Sequence, residues 1–155
     1  MSAFDAYVRA LSVYKNEETR LKNEHLARQV ARQAELRKKW DWWDKLPGFE
    51  FEKELAQLLE RLGYKVELTP ASNDGGIDLV LSRHSQLPIL VQCKAHRTAI
   101  GVGVLREFYG AILHYKRKQR FAEAWIVAKA GYTEGATNFA RGKPIRLRDI
   151  REFLQ

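Results

Sequence analysis

Between residues 5 and 45 the chain contains neither glycine nor proline, and it then meets both at Pro47-Gly48. Those two residue types punctuate a backbone more strongly than any others, so a long stretch without them reads as helix. Phe4, Tyr7, Val8, Leu11 and Tyr14 recur at helical spacing and predict an amphipathic face. Further on, the apolar stripe thins to Leu21, His25, Val30 and Ala34, too sparse for a sustained heptad seam. The pattern predicts one long or broken helix ending near Trp40, Trp42 and Trp43, with Pro47-Gly48 as the break.

Beyond the break the texture changes. Phe51, Leu55, Leu58, Leu59 and Leu62 mark an apolar helical face, and Gly63 supplies a stop. Residues 65–69 alternate as a short strand. Residues 77–82 and 89–94 are rich in β-branched and aliphatic side chains, with a turn over 83–88 between them. A second helix spans 102 to about 117, with Leu105, Phe108, Ile112 and Leu113 expected to face inward. Residues 124–128 read as a buried strand, Thr133 as the cap of a helix reaching about Arg141, and 145–147 as a last strand. Asp149 is placed to cap a terminal turn. Helix, three strands, helix, strand, helix, strand predicts an α/β domain, a central mixed sheet flanked by helices. The expected division is a helical N-terminal extension over 1–46 and the α/β domain over 47–155.

Composition narrows the partners. The 155 residues suffice for a core without staples, and the net charge of +8 suits a polyanion, because lysine and arginine displace counterions from phosphates. An acidic membrane surface or plain solubility would tolerate the same charge, so this only tilts the odds. The lone cysteine, Cys93, excludes an internal disulfide and a cysteine-based zinc site, and fits a reducing cytoplasm. The first residues lack the apolar core of a secretory signal, and no run approaches the roughly 18 apolar residues of a membrane span. The expectation is a soluble cytoplasmic protein without a membrane partner.

Chemistry concentrates in Asn73-Asp74-Gly75-Gly76-Ile77-Asp78 and in Leu90-Val91-Gln92-Cys93-Lys94. If the two strands form a hairpin, Asp78 is early on the first, Gln92 and Lys94 are late on the second, and antiparallel pairing joins those ends. Alternation puts Gln92 and Lys94 on one face and Cys93 on the other. A carboxylate, an amide oxygen and an ammonium then share one sheet edge. Metal-assisted phosphodiester hydrolysis needs such a set: oxygen ligands for a hard cation, and a lysine to orient water or offset charge on phosphorus. Asp78 is the candidate principal ligand, Gln92 Oε1 or the Cys93 backbone carbonyl a second, and Lys94 the group that positions the nucleophile. Glu52 can reach in as a second acid.

Taken together, Gly48-Phe49-Glu50-Phe51-Glu52, Asp74-Gly75-Gly76-Ile77-Asp78, Val91-Gln92-Cys93-Lys94 and Phe108-Tyr109-Gly110-Ala111 resemble, in order and spacing, the Mrr-type restriction endonuclease catalytic domain of the PD-(D/E)XK superfamily. Gly131-Tyr132-Thr133-Glu134-Gly135-Ala136 resembles its late loop and helix. The resemblance covers about 47–155 and leaves the N-terminal helix unexplained. It implies a restriction-endonuclease-like core and hydrolysis of double-stranded DNA with Mg²⁺, for which Mn²⁺ would substitute. It assigns catalysis to Glu52, Asp78, Gln92 and Lys94, and the protein to restriction or antiviral defence. Glutamine in place of a second acid implies modest metal affinity. Ala128-Lys129 stands where relatives commonly carry small hydroxyl residues.

Each residue also has a plainer reading. Asp74 serves equally well as a turn former beside Gly75-Gly76. Asp78 does not, since an unpaired carboxylate opening an apolar strand is costly. Lys94 alone would pass for a surface lysine; its register with Gln92 and Asp78 argues otherwise. Glu50, Glu52 and Glu54 lie on one helical turn, and the choice of Glu52 rests on the resemblance. Cys93 suits an apolar filler better than a nucleophile. His84 is not assigned as a ligand. His96 and Arg97, directly after Lys94, suit phosphate or solvent equally. The basic run Lys116, Arg117, Lys118 and Arg120 is either a solvated helix C-terminus or a DNA contact. Arg141, Lys143, Arg146, Arg148 and Arg151 carry the same ambiguity. Gly101-Val102-Gly103 reads as a flexible lead into a helix. The tryptophans fit docking of the N-terminal helix, onto the domain or a second subunit, better than base stacking. Two alternatives stand beside a restriction nuclease. One is a non-cleaving DNA-binding module that recruits a partner protein through the helix; the other is a junction- or flap-specific repair nuclease. Homodimerisation through that helix is a further expectation.

Overall fold

The computed structural model describes residues 1–70 and 76–154; Asn73, Asp74 and Gly75 of the glycine-rich loop lie outside the described residues. The chain divides into two compact units, Met1–Lys39 and Trp40–Gln155.

The first unit is a single helix, α1 (Ala3–Arg37), opened by a capping box in which Ser2 Oγ accepts from the Asp5 amide and the Asp5 carboxylate accepts from Ser2. None of its residues is buried, and Phe4, Tyr7, Val8, Leu11 and Tyr14 stand exposed. Glu17 and Glu24 pair with Arg20, and Glu18 with Lys22, at spacings that support an isolated helix by about 0.2–0.5 kcal/mol each. The helix ends at Lys38, whose amide donates to the Glu35 and Leu36 carbonyls, beside the tryptophans as expected; a short second helix over Trp40–Asp44 follows, and the chain breaks again at Pro47 ahead of Gly48. The reason lies in Trp43: fully buried against Phe51, it belongs to the core of the second unit.

In the second unit α2 (Trp40–Asp44) and α3 (Gly48–Arg61) precede β1 (Lys65–Leu68), β2 (Leu79–Ser82) and β3 (Ile89–Lys94). Then follow α4 (Val102–Lys116), β4 (Glu123–Ala128), α5 (Glu134–Ala140), β5 (Ile145–Asp149) and a 3-10 turn, Ile150–Phe153. The strands lie in sequence order in one mixed sheet: β1, β2 and β3 antiparallel, then β3, β4 and β5 parallel. Parallel neighbours need a crossover, and α4 and α5 supply the two. Helices cover both faces, which explains why β3 and β4 are near-continuous apolar runs. Leu79, Leu81, Val91, Trp125 and Val127 pack with Phe51, Leu55 and Leu59 of α3 on one face. Leu90, Ala124, Ile126 and Ala128 pack with Leu105, Phe108 and Ile112 of α4 on the other. Each large side chain so buried contributes about 1.5–3 kcal/mol.

Thr133 and Asp149 cap their elements as the sequence predicts. Leu113 does not face inward: it is 45% exposed, because one step past Ile112 turns a side chain by about 100° around the axis. Leu62, beyond the end of α3, is likewise exposed. Among the described residues no helix is long and apolar enough to cross a membrane.

Candidate active site

Register brings the candidate residues together. Leu79 lies opposite Val91 and Leu81 opposite Ile89, so Asp78, just before β2, falls beside Gln92 near the end of β3. The Asp78 amide donates to Val91 O (2.8 Å), and its carbonyl accepts from the Thr69 amide (2.9 Å), tying the residue to both neighbouring strands. Its side chain lies along the end of β3, where Oδ2 accepts from the Cys93 amide at 2.7 Å. Burial raises the Asp78 pKa, partly offset by that amide and by the positive charge of Lys94.

Glu52, on the second turn of α3, is half-buried; burial and then the negative charge of Asp78 raise its pKa. Of Glu50, Glu52 and Glu54, it is Glu52 that feels the Asp78 charge and whose own charge reaches Cys93. Gln92 is 4% exposed, and its Oε1 has no hydrogen-bond partner among the described residues. Over its amide sits Gly76 at φ +139°, where a Cβ would come within 2.9 Å of Gln92 Nε2. Only glycine both adopts that backbone and leaves room for the amide. Cys93 packs on the α3 face with Val91, on the side expected of it; burial pushes its thiol pKa well up, so it stays protonated. Lys94 stands half-buried at the end of the strand.

Asp78, Glu52 and Lys94 therefore lie within electrostatic reach at the carboxyl end of the parallel strands, where α/β sheets place their ligands, while the Gln92 amide turns to the α4 face beside Gly76 and Phe108. Among the described residues no group of three histidine, cysteine or acidic side chains forms a ready metal cluster. The set here is smaller and made wholly of oxygen donors. It suits a hard divalent cation, which would offset the Asp78 charge that helps to raise the Glu52 pKa.

A restriction endonuclease family model, the Mrr catalytic type, matches residues 43–155. The chain belongs to this family. No curated protein gives a significant match. Among solved structures the Mrr-type domain is similar to a protein of unknown function, AF1548, at 22% identity and TM-score 0.53, covering 63% of this chain and 55% of that one. It is also similar to AspBHI, a DNA modification-dependent restriction endonuclease, at 18% identity and TM-score 0.55, covering 79% of this chain and 33% of that one. These likenesses establish the fold. The chain thus spans about half the length of the first neighbour and a third of the second.

Other candidate residues of the Mrr-type domain are dispersed. His96 and Arg97 are exposed immediately beyond Lys94, at the site's end of the sheet. Lys116, Arg117, Lys118 and Arg120 are not: α4 runs back along β3, and the run leads into β4, whose Glu123 lies opposite Ile89. That is about 17 Å of strand away from Lys94. His84 lies in the β2–β3 turn at that same far end. Arg146 pairs with Glu123, Arg148 with Glu152 and Arg151 with Asp149, while Lys143 donates to Phe139 O. The second basic stretch is thus largely engaged within the domain. Trp43 lies edge-on to both Trp42 and Phe51, anchoring α2 rather than offering a base-stacking surface.

Lys129 lies near the site with no role assigned by the sequence motifs. Lys129, directly after β4, is 3% exposed, and Nζ donates to the carbonyls of Asp44 (2.9 Å) and Leu46 (2.7 Å). A charge abutting the apolar run Ala124-Trp125-Ile126-Val127-Ala128 is the same signal that marks Asp78. Its partners, 85 and 83 residues away in sequence, leave no local trace.

Proposed function

We propose that this Mrr-type domain is a Mg²⁺-dependent endonuclease that hydrolyses phosphodiester bonds of double-stranded DNA, with Mn²⁺ able to substitute, in the restriction of foreign DNA. One observation carries the reading: the Asp78 carboxylate is tied to the Cys93 amide with Glu52 close enough to feel its charge, and the preceding residue of that strand, Gln92, keeps a buried Oε1 without a partner among the described residues. A buried acceptor left open is rare and calls for an ion or water. When bound, the cation supplies counter-charge and Lewis acidity to the scissile phosphate.

Asp78 and Gln92 present the side-chain oxygens that hold the cation. Peptide groups alternate along a strand, so the Cys93 carbonyl shares the side on which its amide meets Asp78 and is a third donor. Glu52 reaches the site through water. The Lys94 ammonium orients the attacking water and offsets charge on phosphorus as the new O–P bond forms and the bond to the departing strand breaks. His96 and Arg97 contact phosphates beside the scissile bond. Lys116, Arg117, Lys118 and Arg120 contact the backbone away from the scissile bond, about 17 Å of strand from Lys94.

The test is cleavage of supercoiled plasmid by wild type, Asp78→Ala and Lys94→Ala, in Mg²⁺ and in EDTA. Nicking should require the metal and vanish in both variants; cleavage surviving either substitution refutes the assignment. DNA bound but never cut by wild type would identify a non-cleaving module. A panel of methylated, unmodified and branched substrates separates restriction from repair.

A further inference from the structure

We propose that Lys129 is a positioning residue for the metal site: it clamps the turn before α3 onto the end of β4 and so sets Glu52 beside Asp78. The inference rests on the metal-site reading above. Ala128, the last residue of β4, lies opposite Lys94, so Lys129 begins just past the active edge of the sheet. Val127 packs on the α3 face and Ala128 on the α4 face; alternation returns Lys129 to the α3 side. There its ammonium meets the carbonyls of Asp44 and Leu46 and stands 5.5 Å from the centre of the Phe51 ring.

Those carbonyls flank a junction that the Leu46 amide closes onto Trp43 O and that Trp43 ties to Phe51, yet whose two carbonyls need donors from elsewhere. Asp44 ends α2, so its carbonyl lacks an intrahelical partner, and Pro47 caps α3 without a side-chain hydrogen bond. Lys129 supplies the missing donors from the far side of the sequence. Burying an ammonium costs several kcal/mol unless it is hydrogen-bonded, whereas a methionine of similar volume would fill the space without that cost. The ammonium therefore specifies where the junction sits. What it places is the start of α3: Phe51, wholly buried beneath it, is followed directly by Glu52. A shift of this junction moves the carboxylate relative to Asp78 while leaving the sheet intact.

The experiment compares full-length wild type, Lys129→Met, Glu52→Gln and the double variant. Mn²⁺ affinity is followed by electron paramagnetic resonance of the free ion, plasmid nicking against Mg²⁺ concentration, and folding by circular dichroism. Lys129→Met should fold yet weaken Mn²⁺ binding by roughly tenfold, the low end of the loss when a group that supports a metal site from outside its ligands is removed. The Mg²⁺ concentration for half-maximal nicking should rise in parallel. In the Glu52→Gln background the same change should add less than about twofold, since both substitutions act through one carboxylate. Should Lys129→Met not fold, Lys129→Leu, which likewise removes every donor to the carbonyls, replaces it. A folded variant with unchanged metal affinity overturns the proposal, as does additivity with Glu52→Gln or failure of both variants to fold. Wild type that neither binds Mn²⁺ nor cuts DNA removes the metal-site reading itself, a separate result.

Discussion

The two ends of the central sheet treat charge in opposite ways. At the carboxyl end of β3 the protein buries it: Asp78 and Glu52 are held partly out of water at raised pKa, Gln92 Oε1 is enclosed without a partner among the described residues, and Lys129 lies under the α2–α3 turn. At the Ile89 end charge is solvated or paired: Lys116, Arg117, Lys118 and Arg120 are exposed, and Glu123 accepts from both Arg146 and Trp125. Exposed cations cost almost nothing to keep, so a basic run by itself says little about function. Buried and unsatisfied polar groups are expensive, and a fold retains them where they do chemistry. The difference teaches that cost, not charge density, locates the site.

The largest expected effect comes from breaking that contrast. Asp78→Ala or Lys94→Ala should reduce Mg²⁺-dependent cleavage by at least about 10³-fold, on the scale of lost electrostatic stabilisation of a transition state. Replacing Lys116, Arg117, Lys118 and Arg120 together by alanine should leave the saturating cleavage rate within about twofold. It should instead weaken DNA binding and flatten its salt dependence, because phosphate contacts act through released counterions. Fluorescence anisotropy across a salt series, beside single-turnover cleavage, separates the two. If the quadruple variant loses its saturating rate while still binding, the far end takes part in catalysis and the contrast fails.

A sharper version sets stability against activity at one residue. Gln92→Leu removes the orphaned acceptor and keeps most of the volume. It should stabilise the metal-free protein by about 1 kcal/mol, since an unsatisfied buried polar group costs that order, and lower cleavage at least tenfold. Melting in EDTA and nicking in Mg²⁺ read the two effects. A less stable variant would show that Oε1 is already satisfied in the folded protein. Gly76→Ala tests the same amide from above. Its φ of +139° disfavours any side chain, and the new methyl would press on Gln92 Nε2, so both stability, by about 1 kcal/mol or more, and cleavage should fall.

Much of this was legible in the chain. The order of elements, the bounds of β3 and the caps Thr133 and Asp149 follow from period and side-chain chemistry, which are local. The convergence of Asp78, Gln92 and Lys94 followed from antiparallel register, which two short strands and a tight turn determine. What escaped needs the third dimension. Placing Lys116–Arg120 required knowing that β4 is parallel to β3, for then α4 must carry the chain back to the strand's beginning, and the residues after it go with it. The separate short helix that carries Trp40 to Asp44 reflects a core that Trp43 joins, which no helix propensity encodes. In the sequence Lys129 shows only as a departure from related sequences, because both its acceptors are backbone carbonyls, which every residue carries.

The smallest expected effect tests the quiet end of the comparison. Arg146 Nε lies 2.5 Å from Glu123 Oε2, yet two-thirds of the Arg146 side chain remains in water. A close contact so exposed gains little over the hydration it replaces, and holding a long side chain in one rotamer takes back part of that gain. Arg146→Ala should therefore lower stability by less than about 1 kcal/mol, with a smaller difference at 1 M salt, where the Debye length falls to about 3 Å. Glu123 keeps its bond from Trp125 Nε1, so the start of β4 should hold its place. Cleavage should stay unchanged, since the substitution reaches no group at the Lys94 end. Denaturant melts at low and high salt, with nicking under identical Mg²⁺, provide the measurement. A loss well above 1 kcal/mol, or a changed cleavage rate, would mean that this pair is coupled to the buried charges across the sheet, and that the two ends are not independent.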